Sequence, residues 1–196
     1  MVNSSEADAE IASLLKQAQS RYQEGALPAT LALYRQVLIA DPRNMSALQG
    51  IGILYGQSGR FHQAVKFLSA AADVQPDDFA VHYNLGKALQ ALNQPEAALA
   101  SYHKTLSLRS DYVPAYNNRG NVLRDLHRYV EALGDYDRAL SLRPDFAEAH
   151  FNRGNLLKSL NRYEEALAAY DTALSLGMKS VELQNERSDV LSQLGH

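Results

Sequence analysis

"AYNNRGNVL", residues 115–123, returns 34 residues later as "AHFNRGNLL", residues 149–157. Aligning 113–146 with 147–180 leaves 18 of 34 residues identical, so the chain repeats itself at this period. The first copy places three asparagines within five positions of a segment with helical apolar spacing, although asparagine favours caps and turns over helix interiors. The stretch therefore indicates a helical repeat whose asparagines are not explained by helix propensity.

Four series of residues follow the same period along most of the chain. A fixed period of this length, carried by several coincident positions, is the signature of a stacked repeat architecture. The series are Pro42, Pro76 and Pro144, with Ser110 between them; Gly52, Gly86, Gly120 and Gly154; Ala64, Ala98, Ala132 and Ala166; and Tyr34, Tyr102, Tyr136 and Tyr170, with Leu68 in place of the second tyrosine.

These series resemble the tetratricopeptide repeat, in which two helices carry a W-x2-L-G-x2-Y, A-x3-F and P pattern over about 34 residues. The resemblance implies a single all-α domain over 1–196, an α-solenoid that winds as a right-handed superhelix with first helices lining its concave face. A sixth first helix, 181–196, either caps the array or continues into a longer protein. The five complete helix-turn-helix repeats are 11–44, 45–78, 79–112, 113–146 and 147–180.

The repeated small and aromatic residues have a packing interpretation. Glycine on the first helix and alanine on the second are small where two helix backbones approach closely, and the tyrosine ring fills the gap between neighbours. The prolines fall at first turns of helices or between repeats, where a missing backbone N–H is tolerated. The pattern is therefore consistent with uninterrupted helices that bury one face against the next repeat.

Composition and charge exclude several classes of function. The formal net charge is -3 with acids and bases interspersed, so no basic face large enough for nucleic acid or an anionic membrane is predicted. The chain has no cysteine, which removes thiolate catalysis and thiolate metal sites. The start, "MVNSSEADAE", is not a secretory signal, and no run approaches a membrane span. We expect a cytoplasmic location.

No catalytic residue, cofactor or metal site is predicted. No two of the six histidines have the spacing of a metal site, and the chain has no nucleophile elbow or phosphate-binding loop. Three arginines, Arg119, Arg153 and Arg187, occupy the leucine position that precedes the glycine position of the repeat. They are expected to pair with carboxylates such as Asp137 or Asp171 and to cover the helix packing with their stems.

The asparagines form the candidate binding site. The sixth residue of repeats three to five is expected to point into the concave face, and it is asparagine each time. A carboxamide both donates and accepts hydrogen bonds, so a row of carboxamides suits the backbone of an extended peptide. We name this row the asparagine ladder; the alternative is that the amides link adjacent repeats or are solvated. Its members are Asn84, Asn118 and Asn152, with Asn121 and Asn155 one helical turn further on and Asn117 beside them.

The ladder resembles that of the repeat region of O-linked N-acetylglucosamine transferases, which holds protein substrates in that family. Lys87, Arg124 and Lys158 lie further along the same helices and are expected to make one edge of the groove positive, unless they are ordinary solvated surface.

A non-catalytic scaffold that binds a protein segment is therefore the predicted function. Two alternatives remain open: the substrate-docking region of a larger enzyme such as a glycosyltransferase, and self-assembly into a homo-oligomer through the terminal helices.

Overall fold

The computed structural model describes residues 4–195, and within that range the chain forms eleven α-helices and no β-strand. This confirms the predicted all-α repeat fold. The helices are α1 (Ser4–Gln23), α2 (Leu27–Ala40), α3 (Met45–Gln57), α4 (Phe61–Val74), α5 (Phe79–Ala91), α6 (Pro95–Leu108), α7 (Val113–Asp125), α8 (Tyr129–Leu142), α9 (Ala147–Ser159), α10 (Tyr163–Ser175) and α11 (Val181–Gln193).

The helices pack in consecutive pairs, and each pair from α1–α2 to α9–α10 is one predicted repeat. Ten of the eleven helices have 13 or 14 residues, close to the expected length. The exception is α1, which has 20 residues and begins ahead of the first repeat window. The chain divides into two compact units, of which unit 1 ends at Leu108 and unit 2 begins at Arg109. The single domain over 1–196 stays a prediction.

The repeated glycine lies under the ring of the repeated tyrosine. A Cβ atom on Gly120 would lie 2.7 Å from a ring carbon of Tyr136, and Gly86 and Gly154 meet Tyr102 and Tyr170 in the same way. The three tyrosines are fully buried. The glycine therefore allows the two helices of one repeat to approach until the ring fills the space between them.

The first repeat departs from this arrangement. Its tyrosine, Tyr34, packs on Gly50 of the following repeat, where a Cβ would lie 2.5 Å from the ring. Window 11–44 has Ala18 at the glycine position, and Ala18 is fully buried. The ring of Tyr34 thus fills a gap between two repeats, whereas in the later repeats the ring fills a gap within one repeat.

A left-handed residue follows every first helix at the same 34-residue spacing. Its φ lies between 55° and 81° at all six positions, and this conformation ends a helix by satisfying its last carbonyls. Glycine adopts it without strain, and asparagine tolerates it better than most residues. The sequence alone hides this series because three residue types share it: Gly25, Gly59, Asn93, His127, Asn161 and Gly195.

The tightness of the glycine contact yields a prediction with an internal control. Gly120→Ala places a methyl group against the Tyr136 ring, and overpacking of this kind costs about 1–3 kcal/mol. Gly134→Ala makes the same change in the exposed middle of α8, where no atom lies within 4 Å of the added Cβ, so it stabilises the helix by about 0.5–1 kcal/mol. Urea unfolding of both variants measures the two effects; a shift of the same sign contradicts the packing argument.

Candidate functional site

Three first helices lie side by side in unit 2. Helix α7 contacts α9, and α9 contacts α11. Five of the six ladder asparagines are on α7 and α9. We call the surface formed by α7, α9 and α11 the unit-2 face, and it is the part of the chain where the predicted residues are densest.

Buried tyrosines hold two of these asparagines. The hydroxyl of Tyr136 donates to Oδ1 of Asn121 over 2.7 Å, and the hydroxyl of Tyr170 donates to Oδ1 of Asn155 over 2.8 Å. Each bond fixes which end of the carboxamide points inward. The Nδ2 groups are left on the opposite side, and neither donates to another residue within 4–195. Two amide donors are therefore oriented by the core.

A chain of amide hydrogen bonds joins α9 to α7. Asn152 donates from Nδ2 to Oδ1 of Asn117 over 3.0 Å, and Asn117 in turn donates to Oδ1 of Asn118 over 3.4 Å. Asn117 is only 3% exposed, so it links adjacent repeats and is removed from the surface that a partner would touch. Asn117 therefore fits the alternative interpretation, in which the amides link adjacent repeats. Asn152 takes part in the same link, but only through its Nδ2 group.

The ladder residue of unit 1 has a local partner. Asn84 donates from Nδ2 to the carbonyl oxygen of Ala80, one turn back on α5. Its Oδ1 has no partner among residues 4–195, and the same is true of Oδ1 of Asn152. Asn84 and Lys87 both line a cavity of about 280 Å³ between α3 and α5. In Asn84 and Asn152 the atom without a partner among residues 4–195 is therefore the acceptor oxygen Oδ1.

A groove of about 730 Å³ lies on the unit-2 face. Lys158 lies in it and donates to Glu186 over 2.6 Å and to Asp189 over 3.0 Å. The hydrogen bond to Glu186, more than that to Asp189, raises the pKa of Lys158 above its ordinary value. Arg124 lies in the same groove and pairs with Asp125.

Carboxylates therefore neutralise the edge that was expected to be positive. The groove contains two cationic and three anionic side chains, so its formal charge is slightly negative. The predicted preference for acidic ligands is not supported in unit 2, because Lys158 and Arg124 already have partners. Lys87 in unit 1 is exposed, with its ammonium 5.7 Å from the centre of the Tyr83 ring.

Two of the three arginines that precede the glycine position form the ion pairs that the sequence predicted. Arg153 donates to Asp137 over 2.7 Å, and Arg187 pairs with Asp171. Each pair joins a first helix to the second helix of the preceding repeat. Arg119 differs, since it forms a two-pronged pair with Asp135 of its own repeat at 2.6 and 2.7 Å.

No cluster of three or more metal-ligating side chains occurs among residues 4–195, and His196 lies outside that range. Within the same residues, no helix combines the length and apolarity needed to cross a membrane.

The buried phenols predict a loss of stability in alkaline solution. Burial raises the pKa of Tyr136 and of Tyr170 well above the ordinary value. Above about pH 10 the unfolded phenols ionise while the folded ones stay protonated, so the stability that they contribute at lower pH is progressively lost.

The double variant Tyr136→Phe, Tyr170→Phe should be less stable at pH 8, by about 0.5–1.5 kcal/mol for each lost hydrogen bond. It should also lose less stability than the wild type between pH 9 and 11. Urea titrations across this range measure both slopes, and equal slopes contradict the assignment.

Sequence relatives match only part of the chain. The mouse (Mus musculus) "Protein O-mannosyl-transferase TMTC3" is 31% identical over 82 residues, which is 42% of this chain and 9% of that protein. The "Peroxisomal targeting signal receptor" of Kluyveromyces lactis is 34% identical over 86 residues, which is 43% of this chain and 15% of that protein. The chain thus spans less than a sixth of the length of either relative.

Solved structures match over most of the chain. "Crystal structure of YrrB: a TPR protein with an unusual peptide-binding site" superposes with a TM-score of 0.77 at 22% identity, covering 89% of this chain and 90% of that one. A crystal structure of MamA gives a TM-score of 0.76 at 23% identity, covering 81% and 93%. At these identities the likeness establishes the fold.

Family models agree with the repeat pattern. Two models described as tetratricopeptide repeat match, one over residues 117–181 and the other over 21–82 and 57–118. The second alone spans half of the chain. The chain belongs to the tetratricopeptide repeat family.

Proposed function

We propose that this chain is a non-catalytic scaffold that binds an extended segment of a partner protein along its first helices, through the backbone of that segment. The observation that supports it is that different asparagines leave different atoms, an oxygen or a nitrogen, without a partner among residues 4–195. On α9, Asn152 presents a free acceptor oxygen and Asn155 a free donor nitrogen, three residues apart on one helix. An extended peptide presents both an N–H and a C=O, so it can satisfy both.

The spacing fits this role. Residues three apart on a helix have Cβ atoms about 5–6 Å apart. One edge of an extended chain presents its polar groups every second residue, or about 7 Å apart. An acceptor and a donor about 5–6 Å apart can hydrogen-bond the backbone of such a segment without contacting its side chains. Each of these bonds contributes only about 1 kcal/mol. Weak binding of many sequences is therefore expected.

The site is preorganised, which favours binding by so few hydrogen bonds. The phenol of Tyr170 holds Asn155, and the buried amide of Asn117 holds Asn152. Side chains that are already fixed lose little rotamer freedom when a ligand binds. The core residues of the repeat thereby determine the direction in which the surface amides point.

Asn121→Asp together with Asn155→Asp tests the proposal. Aspartate keeps the oxygen that accepts from the buried tyrosine but replaces the free amide donor by a second acceptor, which repels a peptide carbonyl. We expect binding to an array of unrelated twelve-residue peptides to weaken about tenfold or more for every peptide that the wild type binds.

The control is Asn185→Asp, which makes the same type of substitution once, at an exposed position of α11, and should bind like the wild type. A second arm methylates the backbone nitrogens of the bound peptides, which should also weaken binding. Equal binding by the double variant and the control contradicts the proposal, as does an array on which the wild type binds no peptide.

The docking region of a larger enzyme is a second candidate, and the O-mannosyl-transferase relative favours it. An antibody against this chain tests the second candidate, because a native protein of only about 21.7 kDa in cell extract would contradict it. Self-assembly through the terminal helices is tested by sedimentation at two concentrations.

A further inference from the structure

A break in the tyrosine series coincides with the cavity between α3 and α5. Where the other complete repeats have tyrosine, repeat 45–78 has Leu68, and Leu68 lines this cavity of about 280 Å³ together with Gly52 and Gly56 of α3. Two more small residues, Ala88 and Ala91, close it on the α5 side. Asn84 and Lys87 are also part of its lining. We call this cavity the Leu68 pocket.

Repeat 45–78 also lacks the side chain that would accept a hydrogen bond from a tyrosine at position 68. In later repeats the hydroxyl donates to an amide oxygen of the first helix, on Gln90, Asn121 or Asn155. The equivalent positions in repeat 45–78 are Ile53, which matches the two asparagines, and Gly56, which matches the glutamine. Both line the Leu68 pocket. The far half of the ring is thus missing, and its amide partner is replaced by an isoleucine or a glycine, neither of which has a polar side-chain atom.

The surrounding residues leave this space open. A Cβ built on Gly56 would have the methyl of Ala64, at 4.0 Å, as its nearest neighbour. Leu68 itself lies against Gly52, where a Cβ would be 2.6 Å from its Cγ, so it fills only the part of the space that the near side of a tyrosine ring occupies. The amide of Gln57, another lining residue, donates to the hydroxyl of Tyr22.

We propose that the Leu68 pocket binds one large apolar side chain of the phenylalanine class, carried by the segment whose backbone contacts Asn84. The inference rests on the proposed function and adds side-chain specificity to it. The protein itself places an aromatic ring at the corresponding position of its last three complete repeats, packed on the equivalent glycine, which indicates the shape of side chain that fits. The volume is below the range of about 300–1,000 Å³ that is typical of small-molecule sites.

The lining also selects against a hydroxyl. A tyrosine of the partner would bring its hydroxyl towards Ile53 and Gly56, which offer no side-chain oxygen, and a desolvated hydroxyl without an acceptor is unfavourable. A lysine at this position would lose hydration and lie close to the ammonium of Lys87, which repels it. The expected order of preference is therefore phenylalanine and leucine first, tyrosine next, and alanine or lysine last.

The experiment uses terminally blocked nine-residue peptides of alanine and serine with one varied central residue: Phe, Leu, Tyr, Ala or Lys. Binding to the complete chain is measured by NMR titration. For the wild type we expect the Phe peptide to bind about tenfold or more tightly than the Ala peptide, because most of a phenyl ring leaves water.

Leu68→Tyr restores the residue of the other repeats, and Gly52 is already present to receive its ring. This variant should bind the Phe and Ala peptides equally. Gly56→Leu fills the pocket from the opposite wall and should do the same, which keeps the test decisive if Leu68→Tyr fails to fold. Gly134→Leu is the matched control, at an exposed helix position with no atom within 4 Å of the added Cβ, and should retain the wild-type preference.

Two results overturn the inference: a wild type without preference for Phe over Ala, or a preference that survives both pocket-filling variants. A control that loses the preference equally also overturns it, since the effect would then lie outside the pocket. Failure of the proposed function is distinguishable, because it removes the binding of all five peptides, whereas failure of the pocket leaves all five binding with equal affinity.

Discussion

The close approach of a glycine to a tyrosine ring is the contact on which the repeats depend. In three repeats a Cβ on the glycine would lie 2.6–2.7 Å from a ring carbon, closer than non-bonded carbon atoms pack. The first and second helices therefore meet at a distance that only glycine permits. The ring in turn is fully buried, so one contact determines both the separation of the helices and the contents of the space between them.

The same contact determines the chemistry of the surface. A ring stacked on Gly120 or Gly154 directs its hydroxyl to an asparagine one residue further along the first helix. Because the phenol needs an acceptor when it is buried, the amide is turned with its oxygen inward and its nitrogen outward. Where tyrosine gives way to Leu68, the amide is replaced by Ile53 and a cavity opens. The buried core and the polar surface of the first helices are thus coupled through one position of the repeat.

The two cavities show how one repeat geometry supports different chemistry. Asn155, Lys158 and Glu186 line the groove of unit 2, and the positions equivalent to them in unit 1 are Ile53, Gly56 and Asn84, which line the Leu68 pocket. One site is charged and internally ion-paired, and the other is mainly apolar. In the first, the ion pair of Lys158 already occupies a cation that a ligand would otherwise contact. Substitution at equivalent positions of the repeat therefore gives one cavity a charged lining and the other a mainly apolar one.

The sequence by itself determined the period, the pairs of helices and the close-packed glycine and tyrosine positions, because each is a local pattern repeated in register. The tertiary structure decided which amides reach the surface. Asn117 and Asn118 are neighbours in the chain, yet Asn117 is buried against Asn152, a difference set by the packing of α7 on α9. The tertiary structure also decided the charge of the groove, since Lys158 and its carboxylate partners on α11 lie about thirty residues apart in sequence. Periodicity indicates which residues lie on the same face of a helix. The hydrogen-bond partners of a residue depend instead on which side chains of the next repeat lie opposite it.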